Sequence, residues 1–189
     1  MKAAGWSFDE VTPDRVLLVT PGGEVLDGSG PLHIEYPIHT EVMNARPDVG
    51  CAVHTHAPAA VSFAALDRPL LAISHDGVEF AEPQVARFTR TGALINSAEL
   101  GRELAETIGD GAGCLIPQHG LVTVGPDAAT AVMRAVQLAQ ACEVQLHAMA
   151  AGEIRLWSDS AELALKREQT KSGSQLKAGY AFLCRQAGT

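Results

Sequence analysis

The feature that most constrains this chain is a short β-branched run, Cys51 to Ala57 (CAVHTHA), in which two histidines stand two residues apart. Alternate side chains of a β-strand share a face, so Ala52, His54 and His56 are expected on one side of the strand. The two imidazoles can then reach a single ion, and neutral imidazole is a common protein ligand for zinc, copper, iron and nickel. Two half-exposed histidines on an edge strand would show the same pattern, so this run alone leaves both interpretations open.

Size, charge and cysteine content narrow the class of protein. The 189 residues fit a single domain, 1–189, that is long enough to bury a core. The formal net charge is −8 and no basic cluster is present, so we expect no nucleic acid as a partner. The four cysteines form no C-x-x-C pair, which favours a reduced chain in the cytoplasm. We expect no export signal and no membrane partner, because no run of about 18 apolar residues occurs.

Hydrophobic periodicity and turn residues predict alternating helices and strands. The two strongest signals are an amphipathic helix between Ser97 and Gly109 and a long alanine-rich helix over 127–151. The other expected elements are a hairpin over 15–28, a short helix over 38–45, a helix within 57–66, a buried strand over 69–74, two strand pieces within 114–125 interrupted at Pro117 to Gly120, and a shorter helix from Ser160 followed by an aromatic docking segment over 179–184.

Two further residues stand out by context. His119 lies at the break between two apolar runs, and with His54 and His56 it makes three histidines, the number of protein ligands that a catalytic zinc uses while keeping one position open. Glu35 lies in an extended stretch just before the first helix. A carboxylate beside such a metal can act as a general base, although an exposed surface glutamate is its ordinary interpretation.

Four sequence pieces, taken together, resemble the class II aldolase/adducin family. They are E-x-x-x-H at Glu35 to His39, Arg46-Pro47-Asp48, V-H-x-H at Val53 to His56, and H-G-L-V-x-V-G at His119 to Gly125. The resemblance covers nearly all of the chain from about Phe8. It implies an α/β fold, a three-layer α/β/α arrangement with a largely antiparallel central sheet, assembled as a homotetramer with active sites between subunits.

The resemblance also implies roles for individual residues. His54, His56 and His119 would bind a divalent metal, with Zn²⁺ first and Fe²⁺, Mn²⁺ or Co²⁺ as alternatives, and Glu35 would be the catalytic acid/base. His39 would orient Glu35 or pack behind it, close to the substrate. His75 falls where a family aldolase supplies a proton-donating tyrosine from the adjacent subunit, and it is equally consistent with an exposed loop histidine.

The chain departs from the sugar-phosphate members of the family in two places. It has no Gly-Asn-x-Ser segment, as expected for a shortened N-terminus, and His33 and Ile34 stand where a Ser-Ser pair would precede the catalytic glutamate. A phosphate dianion then lacks directed hydrogen-bond donors. The expected substrate is therefore a small, unphosphorylated compound, and His33 is a candidate for binding it.

The leading functional hypothesis is a metal-dependent lyase of aldolase type that acts through an enediolate on a hydroxy-carbonyl or oxo-acid compound. Two alternatives stay open on the same metal: a non-haem Fe(II) oxygenase or decarboxylase for an aryl 2-oxo or 2-hydroxy acid, and an epimerase. A third alternative is non-enzymatic, an adducin-like interaction module. Three convergent imidazoles beside an acid favour the enzyme, because buried titratable groups that bind nothing are costly.

Overall fold

A computed structural model describes residues 1–170 and 172–188 of the chain. The elements in chain order are β1 (Leu18–Val19), β2 (Val25–Asp27), α1 (Tyr36–Ala45), β3 (Cys51–Thr55), α2 (Pro58–Ala64), α3 (Val78–Ala81), β4 (Ala86–Arg87), α4 (Ala98–Ile108), β5 (Gly113–Ile116), β6 (Gly120–Gly125), α5 (Ala128–Ala151), α6 (Ser160–Thr170) and α7 (Gly173–Gln186). Short 3₁₀ turns occur at Phe8–Glu10, Pro13–Arg15 and His75–Gly77. Across the two described ranges, none of the helices has both the length and the apolar character needed to cross a membrane.

The central sheet has the strand order β3-β6-β5-β4. The pairs β3-β6 and β6-β5 are antiparallel, and β5-β4 is parallel, so the sheet is mixed but largely antiparallel, as predicted. The register places His54 of β3 opposite Val122 of β6. The histidine strand is therefore paired along its length with the strand that begins directly after His119.

Helices cover both faces of this sheet, which confirms the three-layer α/β/α arrangement. On one face, Val122 and Val124 of β6 share a buried apolar cluster with Ile38 of α1 and Leu104 of α4. On the other face, Leu121 belongs to a cluster that includes residues of α2 and α5. Alternate residues of β6 thus serve opposite cores, because successive strand side chains point to opposite faces.

The two strongest helix signals in the sequence are confirmed with their caps. The Ser97 hydroxyl accepts a hydrogen bond from the Leu100 amide at 3.2 Å, and Gly109 ends α4 with a positive φ of 51°. Asp127 caps α5 by accepting from the Thr130 amide at 2.8 Å. These side chains satisfy backbone donors that the first turn of a helix leaves unpaired.

The predicted buried strand over 69–74 is wrong, because this segment is irregular. Its backbone groups bond to side-chain amides instead of to a neighbouring strand. Gln84 accepts from the Leu70 amide at 3.0 Å and donates to the Leu70 carbonyl at 2.8 Å. Gln145 of α5 accepts from the Leu71 amide at 2.7 Å and donates to the Pro69 carbonyl at 2.9 Å. Leu70 is fully buried as expected, but without a strand around it.

Both ends of the chain pack onto this framework. β1 and β2 form the predicted antiparallel hairpin. Residues 1–4 run beside it, with the Leu17 amide bonded to the Met1 carbonyl at 2.7 Å and the Ala3 amide bonded to the Arg15 carbonyl at 2.8 Å. At the other end, the aromatic segment 179–184 is part of α7, which packs on α5.

Candidate metal centre

One carboxylate and three imidazoles, from three separate parts of the chain, meet at one end of the sheet. Glu35 is the residue before α1, His54 lies on β3, His56 follows β3, and His119 lies in the turn between β5 and β6. One ligand atom from each side chain can be chosen such that all four lie within 4.8 Å of one another. The structure thus brings together all of the residues for which the sequence predicted metal binding or acid/base work, except His75.

The spacing of the donor atoms suits a small cation. Nε2 of His54 and Nε2 of His56 are 3.1 Å apart, and the Glu35 oxygens lie 3.4 Å from His119 Nε2 and 3.8 Å from His54 Nε2. Ligands at about 2.0–2.1 Å from a tetrahedral zinc are roughly 3.3–3.4 Å from one another. The donor set of three imidazoles and a carboxylate is also one that zinc and Fe(II) accept.

Hydrogen bonds fix the orientation of two of these side chains. Nδ1 of His54 lies 2.9 Å from the Leu121 carbonyl and donates to it, which leaves Nε2 as the unprotonated nitrogen on the side of the cluster. Oε1 of Glu35 accepts from the Ile95 amide at 2.9 Å. Oε2 of Glu35 lies 3.8 Å from His54 Nε2.

The β5–β6 turn places His119. Gln118 has a φ of +66°, and the His119 amide donates to the Ile116 carbonyl at 3.0 Å. Gly120 comes next, and a side chain there would collide with the Thr55 carbonyl on the paired strand. The His-Gly pair in the sequence therefore marks a turn that only glycine can close, with the imidazole held beside β3.

Burial favours the neutral form of His54 and His119, which is the form that binds a cation. Removal from water lowers the pKa of His54 to about 4 and also lowers the pKa of His119, with Glu35 opposing the shift in both cases. Glu35 is 2% exposed and His119 is 8% exposed. Within the described residues, neither ring nitrogen of His119 is hydrogen-bonded although both are buried. A buried polar group without a partner is uncommon, and a cation here would supply one.

The other candidate histidines occupy different places. His39 donates from Nδ1 to the Ala52 carbonyl at 3.0 Å, and burial lowers the pKa of His39. Nδ1 of His33 accepts from the Glu35 amide at 3.2 Å. Both rings line the cavity described below. His75 is exposed in a 3₁₀ turn and does not belong to the metal group of its own chain, so its role across a subunit interface stays a prediction.

A cavity of ≈ 360 Å³ leads to this cluster. Its wall includes Glu35, His54 and His56, and also Lys2 and Phe8, which no sequence pattern predicted there. Backbone pairing of residues 1–4 with the hairpin brings this segment to the cavity, and hydrophobic periodicity in the sequence does not reveal such pairing. A larger cavity of ≈ 650 Å³ lies elsewhere, beside Glu79 and Thr107, and shares no residue with the metal group.

Comparisons with known proteins give the relatives of the chain. The family model described as Class II Aldolase and Adducin N-terminal domain matches residues 1–146. The chain is 33% identical over 147 residues to the 4-hydroxy-3-prenylphenylpyruvate oxygenase/4-hydroxy-3-prenylbenzoate synthase of Streptomyces roseochromogenus subsp. oscitans, covering 77% of this chain and 53% of that protein. It is 31% identical over 150 residues to beta-adducin of Rattus norvegicus, covering 77% and 20%.

A solved structure is similar over almost the whole chain. The aldolase II superfamily protein from Pseudomonas syringae superposes with a TM-score of 0.84 at 26% identity, covering 98% of this chain and 76% of that one. By contrast, the chain spans 53% of the oxygenase and 20% of the adducin. These similarities identify the fold. The reaction has to be argued from the residues of the site.

Proposed function

Because the chain belongs to the class II aldolase and adducin family, we propose that it is a metal-dependent carbon–carbon lyase of aldolase type. The proposed substrate is a small, unphosphorylated hydroxy-carbonyl or oxo-acid compound. The observation that carries this proposal is the buried carboxylate of Glu35, 3.4 Å from His119 Nε2 and 3.8 Å from His54 Nε2, in the wall of an open cavity.

Class II aldolases use a divalent metal, and the histidine cluster suits one. We propose His54, His56 and His119 as its ligands and Zn²⁺ as its identity, with Fe²⁺, Mn²⁺ and Co²⁺ as alternatives. Held by these three histidines, such an ion would supply Lewis-acid stabilisation of the negative charge that develops on a hydroxy-carbonyl compound when the adjacent carbon–carbon bond breaks.

Glu35 supplies the proton chemistry in this proposal. Oε1 is held by the Ile95 amide, so Oε2 gives a proton to the enediolate carbon after cleavage and removes it in the reverse direction. His39 packs behind the site through its bond to the Ala52 carbonyl. His75 of a neighbouring subunit is proposed to exchange the proton of the substrate hydroxyl.

Glu35→Gln tests this assignment. The amide keeps an oxygen for the Ile95 N–H but cannot exchange a proton, so metal content should stay near that of the wild type while aldehyde release falls by about 10²–10⁴-fold. The assay measures aldehyde formed from a panel of hydroxy-carbonyl and oxo-acid compounds. Glu106→Gln, an exposed position on α4, is the matched control and should be fully active. Full activity of Glu35→Gln would exclude the acid/base role.

An oxidative reaction is the second candidate, favoured by the 33% identity to an oxygenase. Three imidazoles and a carboxylate are acceptable ligands for Fe(II). The test is oxygen consumption by protein loaded anaerobically with Fe(II) and supplied with an aryl 2-oxo or 2-hydroxy acid. Stoichiometric oxygen uptake supports the oxygenase, and carbon–carbon cleavage without oxygen supports the lyase. An epimerase would instead convert the substrate into a stereoisomer and would release no cleavage products.

The similarity to beta-adducin makes a non-enzymatic interaction module the third candidate function. An interaction module has no need for the buried imidazole of His119, because each unpaired buried polar group costs about 1–3 kcal/mol. Metal content of the purified protein separates the two: a chain that takes up no divalent ion at the cluster is a binding module. A stoichiometric ion supports the enzyme.

We also propose a homotetramer in the cytoplasm, the location resting on the sequence alone. Apolar side chains on and near the hairpin are exposed in the single chain, among them Leu18 at 60%, Leu26 at 58% and Ile34 at 55%. Subunit contact would remove them from water. Light scattering tests the assembly, and a monomer at micromolar concentration would leave His75 without a neighbouring site.

A further inference from the structure

A lysine lies in the wall of the same cavity as the metal cluster. Lys2 lines it together with Phe8, His33 and Glu35. Its Nζ donates to the Trp6 carbonyl at 2.7 Å and lies 5.6 Å from the centroid of the Phe8 ring. Over residues 1–170 and 172–188, no carboxylate oxygen comes within 4.0 Å of this ammonium group. The cavity therefore carries a positive charge without an acidic partner.

The position of Lys2 is set by backbone pairing and not by its long side chain alone. Lys2 forms an antiparallel bridge with Val16. Two residues later, the Ala4 amide donates to the Pro31 carbonyl at 2.9 Å. Pro31 precedes His33 by two residues, so the same bonds hold the lysine and this histidine in one wall.

His33 offers the cavity a hydrogen-bond donor. Nδ1 of His33 accepts from the Glu35 amide, so the neutral ring carries its hydrogen on Nε2. The Met1 ammonium group also lines the cavity but donates to the Leu17 carbonyl at 2.8 Å. Among the residues that line the cavity, Lys2 is the one lysine or arginine side chain.

We infer that Lys2, with His33 as a second donor, binds the carboxylate of the substrate. An ammonium group has three N–H donors, and the Trp6 and Ala3 carbonyls engage two of them at most. Phe8, 77% exposed, offers an apolar face for the rest of the molecule. At about 30 Å³ per water-sized group, the cavity holds a ligand of roughly a dozen non-hydrogen atoms.

This inference rests on the proposed function for the reacting end of the substrate, and it names the substrate class as oxo or hydroxy acids. Neutral sugars lack the anionic group that Lys2 would bind. A phosphate would demand several directed donors, as the family's serine pairs provide, whereas a carboxylate is satisfied by one ammonium group and one further donor. Specificity is then set by a residue outside the metal cluster.

Calorimetry on the Zn²⁺-loaded full chain tests the inference. The probes are 3-phenyllactate and its primary amide, which differ in charge at one group. Lys2→Met keeps most of the side-chain stem and should weaken phenyllactate binding about ten- to a hundredfold, with less than about a twofold change for the amide. Lys2→Arg should restore most of the affinity. Lys177→Met is the control, because it removes a lysine of α7 that is paired with Asp127, the residue before α5.

Three results would overturn the inference: no binding of phenyllactate to the wild type at millimolar concentration, an equal loss for acid and amide in Lys2→Met, or no loss for either. Unchanged amide affinity in Lys2→Met also shows that the cavity wall has kept its shape. Because binding is measured without turnover, the two proposals fail separately. Lys2-dependent binding with no carbon–carbon cleavage of any compound in the hydroxy-carbonyl and oxo-acid panel refutes the lyase. Cleavage of an oxo acid by Lys2→Met with wild-type KM refutes the carboxylate subsite.

Discussion

Replacement of Gln145 by leucine tests how the irregular segment 69–74 is held. The Gln145 side chain is 2% exposed and bonds to the Leu71 amide at 2.7 Å and to the Pro69 carbonyl at 2.9 Å. Leucine has a similar volume but no polar atoms. The substitution therefore leaves one backbone donor and one backbone acceptor without partners, while the packing of α5 changes little.

The expected cost follows from these two groups. A buried donor or acceptor that loses its partner costs about 1–3 kcal/mol, so Gln145→Leu should lower the free energy of unfolding by about 2–5 kcal/mol. The segment should not detach, because the two bonds from Gln84 to Leu70 remain and Leu70 stays fully buried. Gln84→Leu should cost less, since Gln84 is exposed and water can replace its bonds.

Urea denaturation followed by circular dichroism measures the effect, with the slope m expected to stay constant. Gln140→Leu is the control, because Gln140 is exposed on the same helix and its loss should change the unfolding free energy by less than about 0.5 kcal/mol. Metal content should be unchanged in both variants. A loss below about 1 kcal/mol in Gln145→Leu would show that water satisfies these backbone groups, and the account given for the missing strand would fail.

Three further predictions concern the metal ligands, the bound substrate and the stability of the fold at acid pH. Elemental analysis should find that the divalent ion is lost when any one of the proposed ligands, His54, His56 or His119, is replaced by alanine. Undiminished metal in one of these variants would remove that residue from the set of ligands. Calorimetry on the metal-loaded chain should show pyruvate or glycolate binding more tightly than glycolaldehyde phosphate, whereas tighter phosphate binding that survives His33→Ala would reveal a phosphate site built from other residues. Hydrogen bonding to Arg46 lowers the pKa of Asp48 from 3.8 to about 2, so this pair stabilises the fold fully above pH 3.8 and progressively less as the pH falls toward 2. Asp48→Asn should flatten the unfolding free energy across that window in urea titrations, and an unchanged slope would contradict this role.

The parts of the fold that could be predicted from the sequence are those with local signals. Ser97 and Asp127 cap α4 and α5 with side chains three residues from the amides that they bond. The break at Pro117 to Gly120 lies within one turn. The histidine cluster was predictable for a related reason, since two of its histidines lie two residues apart at the end of one strand and the third precedes a glycine that marks its turn.

Features that depend on distant partners could not be predicted in the same way. An apolar run such as 69–74 has the composition of a buried strand, but Gln145, which satisfies part of its backbone, lies 74 residues from Leu71. Lys2 reaches the cavity because its neighbours pair with Arg15 and Pro31. Neither set of contacts produces a hydrophobic periodicity in the sequence, so the contacts are visible only in the folded structure.

The cavity also explains why a chain without the family's phosphate-binding serines can keep the metal-binding histidines. The three imidazoles and Glu35 form one part of the site, in which the Leu121 carbonyl holds His54 and the Ile95 amide holds Glu35. Lys2 and Phe8 form another part of the cavity wall, and Lys2 is held by the pairing of the N-terminal segment with Val16. Because separate elements position the two parts, a change of substrate anchor need not disturb the metal ligands. A family fold can then retain one chemistry while a few residues outside the sheet select a different acid or sugar.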